Sequence, residues 1–224
     1  MTQQAGFLFD LDGTLVDSVY QHVLAWHEAL EREGISLSIW RVHRRIGMSG
    51  GLLVEMLARE TGRALEPERV ERVGRWHAEA YLRHVSDVRP LPGARELLAA
   101  LTAAGIPWAI ATSSRAETAR PTLDLLGVSI DRDPIVTRDE VVHAKPDPDL
   151  FLAAAARVGI DIAHSTVVGD SVWDMLAAQH ARCLGIGLLS GGYGEDELDR
   201  AGAYRVFADP ASMLRHLDEL GVRR

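Results

Sequence analysis

Short apolar runs separated by stretches of helical periodicity set the rhythm of this chain. The first, Gly6, Phe7, Leu8 and Phe9, ends directly in Asp10. A run that is apolar on both faces predicts a strand inside a parallel sheet, with its polar residues gathered at the carboxyl end. Similar runs at 107–112, 134–137, 165–169, 182–188 and 204–208 predict further strands, and helix-period stretches such as 94–104 and 148–158 lie between them. This alternation predicts an α/β fold, a parallel sheet covered on both faces by helices.

Residues 16–86 depart from that rhythm, because they hold helical patterns with no strand candidate between them. Ser18 is placed to cap a helix that reaches Arg32 and is stopped by Gly34, and Pro67 is placed to open another that runs to about Val85. The chain returns through Arg89, Pro90, Leu91, Pro92 and Gly93, a stiff segment suited to a hinge. The expected organisation is a discontinuous catalytic core, 1–15 with 87–224, and a helical domain, 16–86, inserted after the first strand.

Composition narrows the classes. The 224 residues, 47% hydrophobic and 25% charged, suit one large domain or a domain with an insertion. No apolar run reaches the roughly 18 residues of a membrane span, and residues 1–10 lack a basic segment followed by a long apolar one, so a cytoplasmic location without membrane association is expected. A formal net charge of −8 and the absence of a dense basic run argue against nucleic acid and for a small substrate. Cys183 is the one cysteine, and its apolar neighbours Leu184 and Ile186 predict a buried thiol without chemistry. Of 24 basic residues, 23 are arginine, and the single lysine is Lys145.

In open α/β sheets ligands bind beyond the carboxyl ends of the strands, and the polar residues collect there. Asp10, Leu11, Asp12, Gly13 and Thr14 place two carboxylates two residues apart on a turn that Gly13 permits. One carboxylate can attack phosphorus while the other handles protons; the structural alternative is a solvated Asp-Gly turn. Gly169, Asp170, Ser171 and Asp174 supply a second acidic pair, alternatively Asp170 as a helix cap and Asp174 as a solvated helix residue. Like charges about 4 Å apart repel by roughly 4 kcal/mol at an effective dielectric near 20, so converging carboxylates need a cation before they admit a phosphate dianion. Hard oxygen ligands suit Mg²⁺. Thr112 and Ser113 end the strand at 107–112, where hydroxyls either bind phosphate oxygens or cap the turn. Lys145, between Ala144 and Pro146, is difficult to read as surface decoration in a chain that otherwise uses arginine, and a compact ammonium suits a tight phosphate site.

Together, the Asp10–Thr14 segment, Thr112, Lys145 with its proline, and Gly169, Asp170 and Asp174 resemble the four motifs of the haloacid dehalogenase-like hydrolase superfamily, in order and over nearly the whole chain. The resemblance implies a Rossmann-like core with an inserted α-helical cap, in the subgroup of phosphoglycolate phosphatases, beta-phosphoglucomutases and sugar-phosphate phosphatases. Carried over by position, Asp10 is the nucleophile and Asp12 the general acid/base. Thr112, Ser113 and Lys145 bind phosphate; Asp10, the Asp12 carbonyl and Asp170 hold Mg²⁺; Asp174, Gly13 and Thr14 support the site. Dehalogenases lack the second aspartate, so Asp12 argues against that reaction, and a cap without lysine excludes the Schiff-base chemistry of phosphonoacetaldehyde hydrolases. A phosphosugar mutase is the runner-up. His22 falls at the mutases' hinge histidine, either as a helix-face residue or as a control on proton transfer. Ile46 and Gly50, however, stand where beta-phosphoglucomutase carries basic residues around its cap loop, so a second phosphate finds no partner there. His77 is read as an amphipathic-helix residue, and Trp26, Trp40, Trp76 and Trp108 as core packing. The expected activity is Mg²⁺-dependent hydrolysis of a small phosphorylated metabolite, phosphoglycolate or a sugar phosphate, through an aspartyl-phosphate.

Overall fold

A computed structural model of the protein describes residues 6–62 and 64–222, so the expected core ends at 1–5 and at 223–224 lie outside the described residues. Strand β1 (Gly6–Phe9) leads to β2 (Val16–Asp17), then to helices α1 (Val19–Arg32), α2 (Ile39–His43), α3 (Gly50–Glu60) and α4 (Pro67–His84). The chain continues with β3 (Arg89–Pro90), α5 (Ala94–Ala103), β4 (Trp108–Ala111), α6 (Ala116–Leu126), β5 (Ile135–Val136) and α7 (Asp149–Arg157). It ends with β6 (Ser165–Gly169), α8 (Val172–Ala181), β7 (Leu184–Leu188), α9 (Glu195–Arg200), β8 (Ala203–Phe207) and α10 (Pro210–Arg215).

Six strands form one parallel sheet in the order β5-β4-β1-β6-β7-β8, with β1 paired to β4 on one side and β6 on the other. The all-apolar β1 is therefore interior, as its sequence requires. Its alternation divides the core into two layers. Phe7 and Phe9 join Leu97, Leu101, Leu123 and Met213 of α5, α6 and α10 on one face, whereas Leu8 meets Leu150, Phe151, Ala154 and Ala177 of α7 and α8 on the other.

Helices α1–α4 enclose a separate apolar cluster, including Val23, Trp26, Leu30, Val42, Leu53, Leu57 and Val73. Pro67 stands in the first turn of α4, and Gly34 ends α1 with a φ of 75°, a left-handed conformation that favours glycine. Two details differ from the sequence expectation. Where no strand was expected at the start of the insertion, β2 pairs antiparallel with β3 through Val16 opposite Pro90 and Asp17 opposite Arg89, forming a two-stranded stem between helices and core. Ser18 stands at the N-cap of α1 but its hydroxyl makes no cap bond, because it donates to Asp12 instead.

Two further readings are corrected. Trp40 is 62% exposed, with Arg41 over its ring, because the five-residue α2 presents it outward. Cys183 is half-buried, and burial pushes its thiol up to about 11, which leaves it inert near neutral pH.

Candidate active site

The carboxyl ends of β1, β4 and β6 converge on one cluster. Asp10 follows β1 and its backbone N–H donates to the Val168 carbonyl of β6 at 2.9 Å, which fixes the start of the turn. Gly13 takes a φ of 81°, and a Cβ there would stand 2.5 Å from Asp170 Oδ2, so both conformation and space require glycine. Thr14 Oγ1 donates to Asp170 Oδ1 at 3.0 Å and Ser190 Oγ donates to the Gly13 carbonyl at 2.6 Å.

Lys145 has no exposed surface. Its ammonium pairs with Asp10 Oδ1 and, at 2.7 Å, with Asp174 Oδ1, and lies 5.4 Å from the centre of the Phe151 ring. Burial disfavours its charge, but the two carboxylates hold its pKa above the ordinary lysine value. The helix cap of α8 is Ser171 rather than Asp170: Ser171 Oγ caps Asp174 N, while Asp174 Oδ2 accepts from Ser171 N at 3.1 Å and Oγ at 2.6 Å. Asp174 is thus buried and doubly engaged, not solvated.

Asp10, Asp170 and Asp174 each bring a carboxylate oxygen within 4.8 Å of the others. Burial, reinforced by Asp174 and Asp12 against the pull of Lys145, raises Asp10 to about 7; burial, with Asp174 and Asp10, raises Asp170 well above the usual range. Three carboxylates against one ammonium leave two negative charges in excess, which a divalent cation matches. Among the described residues neither Asp10 Oδ2 nor Asp170 Oδ2 accepts a hydrogen bond, whereas both oxygens of Asp174 are taken. The cluster can hold a metal ion on Asp10 and Asp170, with Asp174 bracing Lys145.

The Asp12 carboxylate stands outside that trio. Ser18 Oγ donates to its Oδ1 at 2.6 Å, Ser114 Oγ to its Oδ2 at 2.8 Å, and His22 Nε2 lies 3.2 Å from Oδ1. Burial alone would raise its pKa, but His22 and the two hydroxyls hold it below the ordinary carboxylate range. His22 in turn is fixed by rings: Tyr81 stacks on it at 3.8 Å, and its Nδ1 is 3.0 Å from His77 Nε2, with His77 stacked on Trp26 at 3.8 Å. His77 is therefore not a plain helix-face residue; it is buried between α1 and α4 because its imidazole pairs with His22.

Thr112 is buried, and its Oγ1 accepts from Ser114 N at 3.0 Å, the turn-capping role. Ser113 Oγ donates to the Gly47 carbonyl at 2.9 Å, linking the end of β4 to the helical insertion. Sequence reasoning missed Ser18 and Ser114 as partners of Asp12, His77 as partner of His22, and Ser190 and Gly191 beside the turn at Gly13. A Cβ on Gly191 would lie 1.7 Å from Asp170 Oδ2, so the carboxylate occupies the room that glycine leaves.

A cavity of about 200 Å³ opens over Asp10 and Asp12. Thr112–Arg115 and Arg138 line it from the core; Trp26, Ile46, Met48, Leu53, Val70, Glu71, Gly74 and His77 line it from the helices. It is smaller than the roughly 300 to 1,000 Å³ of a drug-sized ligand's pocket.

The chain belongs to the haloacid dehalogenase-like hydrolases, whose family pattern it matches over residues 5–182. It is 32% identical over 201 residues to a phosphoglycolate phosphatase of Caulobacter vibrioides, covering 89% of this chain and 84% of that protein. It is 34% identical over 180 residues to hexitol phosphatase A of Escherichia coli, covering 80% of each. A hydrolase from Pseudomonas syringae of known crystal structure superimposes with a TM-score of 0.95 at 53% identity, covering 97% of this chain and 99% of the other.

Proposed function

We propose that this protein is a Mg²⁺-dependent phosphatase that hydrolyses a small phosphate monoester, of the phosphoglycolate or sugar-phosphate type, through an aspartyl-phosphate on Asp10. The observation that carries this reading is the division of labour between two carboxylates. Asp10 lies against Lys145 at the floor of the cavity with one oxygen unpaired, while Asp12, two residues on, is held apart by His22, Ser18 and Ser114.

In the first step an Asp10 oxygen forms a bond to phosphorus as the ester oxygen leaves, and Asp12, ionised in the free site, relays to that oxygen the proton it takes up from the monoanion of the ester. In the second, water gives a proton to Asp12 and attacks phosphorus, releasing phosphate and restoring Asp10. Lys145 neutralises charge beside the nucleophile, and Thr112 and Ser113 present backbone and hydroxyl groups where β4 ends. Asp10, Asp170 and the Asp12 carbonyl would hold Mg²⁺, which when bound would supply charge neutralisation and orientation for the phosphoryl group. The helices between 16 and 86 act as a cap that opens for substrate and closes to exclude water. The enzyme is read as cytoplasmic, in keeping with the absence, among the described residues, of a helix long and apolar enough to cross a membrane.

The phosphatase reading is favoured over a mutase by the state of the cavity's cations. Among the described residues the helical wall, with Ile46, Met48, Gly50 and Leu53, supplies no lysine or arginine for a second phosphate, and Arg115, in an exposed pair with Glu71 at 3.6 Å, and Arg138, on the carbonyls of Val141 and Val142, both belong to the core side. The test is hydrolysis of p-nitrophenyl phosphate: it is expected to require Mg²⁺ and to vanish in Asp10→Asn, whose amide is a poor nucleophile. Retained turnover in chelator or in that variant would overturn the mechanism.

A further inference from the structure

The α4 wall of the cavity carries a ring nitrogen that no hydrogen bond of the described residues engages. His77 is 8% exposed, lines the cavity, and is engaged through Nε2 with His22; no hydrogen bond reaches its Nδ1 among the described residues. Its character follows from the chain of contacts. His22 Nε2 lies 3.2 Å from Asp12 Oδ1, and a neutral His22 that keeps its proton on that side has its lone pair on Nδ1 and receives the Nε2 proton of His77. His77 Nδ1, the ring nitrogen not turned to His22, is then an acceptor on a residue that lines the cavity. If His22 carries a second proton, the direction reverses and His77 Nδ1 becomes a donor. A hydroxyl both donates and accepts, and satisfies this atom in either state; a carboxylate only accepts.

The surroundings favour the same chemistry. Glu71, six residues before His77 on α4, brings a carboxylate to the cavity and pairs with the exposed Arg115, and among the described residues the helical wall offers no lysine or arginine to a leaving group that bears a carboxylate. Between Glu71 and His77 lies Gly74, inside an α-helix with no positive φ to require it. A Cβ there would meet nothing within 4 Å, so the missing side chain leaves room in the cavity rather than avoiding a clash. Ile46, Met48, Leu53 and Val70 give apolar walls for carbon–hydrogen faces.

Building on the phosphatase reading above, we infer that the substrate is a polyhydroxylated phosphate, a sugar or polyol monophosphate rather than phosphoglycolate, and that His77 selects it by pairing with a hydroxyl in the space beside Gly74. The experiment measures kcat/KM of the Mg²⁺-loaded enzyme for a hexitol 6-phosphate, hexose 6-phosphates and phosphoglycolate, with p-nitrophenyl phosphate reporting the basic chemistry. A hexitol or hexose phosphate is expected to exceed phosphoglycolate at least tenfold. Phosphoglycolate equal or better, in enzyme that turns over p-nitrophenyl phosphate, overturns the inference and leaves the phosphatase standing; no turnover of any ester overturns both. His77→Phe keeps a ring on Trp26 but no acceptor, and is expected to lower the sugar-to-glycolate ratio at least tenfold, with His77→Gln retaining most of it. Equal losses on both substrates would make His77 merely structural. Gly74→Leu, which fills the space beside His77 without touching its ring nitrogens, is expected to penalise the hexitol phosphate more than phosphoglycolate, and an unchanged ratio there argues against the same inference.

Discussion

Lys145 illustrates how much one residue can decide. With no exposed surface and carboxylates on two sides, its removal leaves Asp10 and Asp174 facing each other without compensation. Breaking a buried ion pair from one side costs about 3 to 5 kcal/mol. Lys145→Met is therefore expected to lose activity and to destabilise the metal-free protein by about 3 kcal/mol in urea unfolding at pH 7.5; a change within 0.5 kcal/mol would show that the ammonium is not what holds these acids together. Metal binding has a pH signature as well. Asp10, raised to about 7, and Asp170, also raised, bind more protons folded than unfolded, so their contribution to stability is present below the ordinary carboxylate pKa and is lost as pH rises toward about 7. Because the cation needs them ionised, Mg²⁺ is expected to raise Tm more at pH 7.5 than at pH 5, and an equal rise would place the ion elsewhere. Asp12 makes a third case, since protonating the leaving oxygen matters most when that oxygen leaves as an alkoxide. Asp12→Asn is expected to slow hydrolysis of an alkyl phosphate by about 10² to 10⁴ and p-nitrophenyl phosphate by less, in initial rates at saturating Mg²⁺.

At the scale of elements, the six strands of the parallel sheet and the ends of α1 and α4 are legible because they rest on local signals: unbroken apolar runs, a stopping glycine and a first-turn proline. The Asp10–Thr14 turn is visible within a few residues, whereas Lys145 stands out only against the whole chain, as its one lysine. What escaped was pairing across distance. His22 and His77 are 55 residues apart and Ser114 meets Asp12 across 102, and nothing in the spacing of either partner announces the other. Ser18 was misread because a serine before a helix is ordinarily its cap, and here a buried carboxylate competes for the hydroxyl. The helix α4 also carries a local cost in Gly74. Alanine at an interior helix position is favoured over glycine by about 0.5 to 1 kcal/mol, and a Cβ there meets nothing. Gly74→Ala is expected to raise unfolding stability by about that amount; a loss of stability would mean that the position is packed more tightly than its surroundings indicate.

Across the whole molecule, residues 43–49 carry several of the contacts between the helices of 16–86 and the elements of the parallel sheet. Arg44 pairs with Glu197 through its guanidinium and lies over the Tyr193 ring at 4.1 Å, while its carbonyl accepts from Trp173 Nε1 at 3.3 Å and Tyr193 Oη at 3.0 Å. Nearby, His43 Nε2 is 2.9 Å from the Gly191 carbonyl and Ser49 N donates to the Lys145 carbonyl at 3.4 Å. These bonds tie the segment after β7 and the Lys145 loop to the helices that line the cavity, and in the opening proposed for those helices they are the contacts that must break. Arg44 is partly exposed, and a charge pair of that kind contributes up to about 1 kcal/mol. Arg44→Ala removes the pair and the ring contact but keeps both carbonyl bonds, which shifts the cap toward its open arrangement without dismantling it. A shift of about 1 kcal/mol corresponds to roughly a fivefold change in an equilibrium constant. KM for the physiological class of ester is therefore expected to rise about fivefold while kcat stays level or increases, since opening precedes product release. Raising ionic strength is expected to move the wild type in the same direction and the variant less, because only the wild type has this pair to screen. Unchanged KM in Arg44→Ala, together with an unchanged salt response, would show that the latch over the active site is made elsewhere.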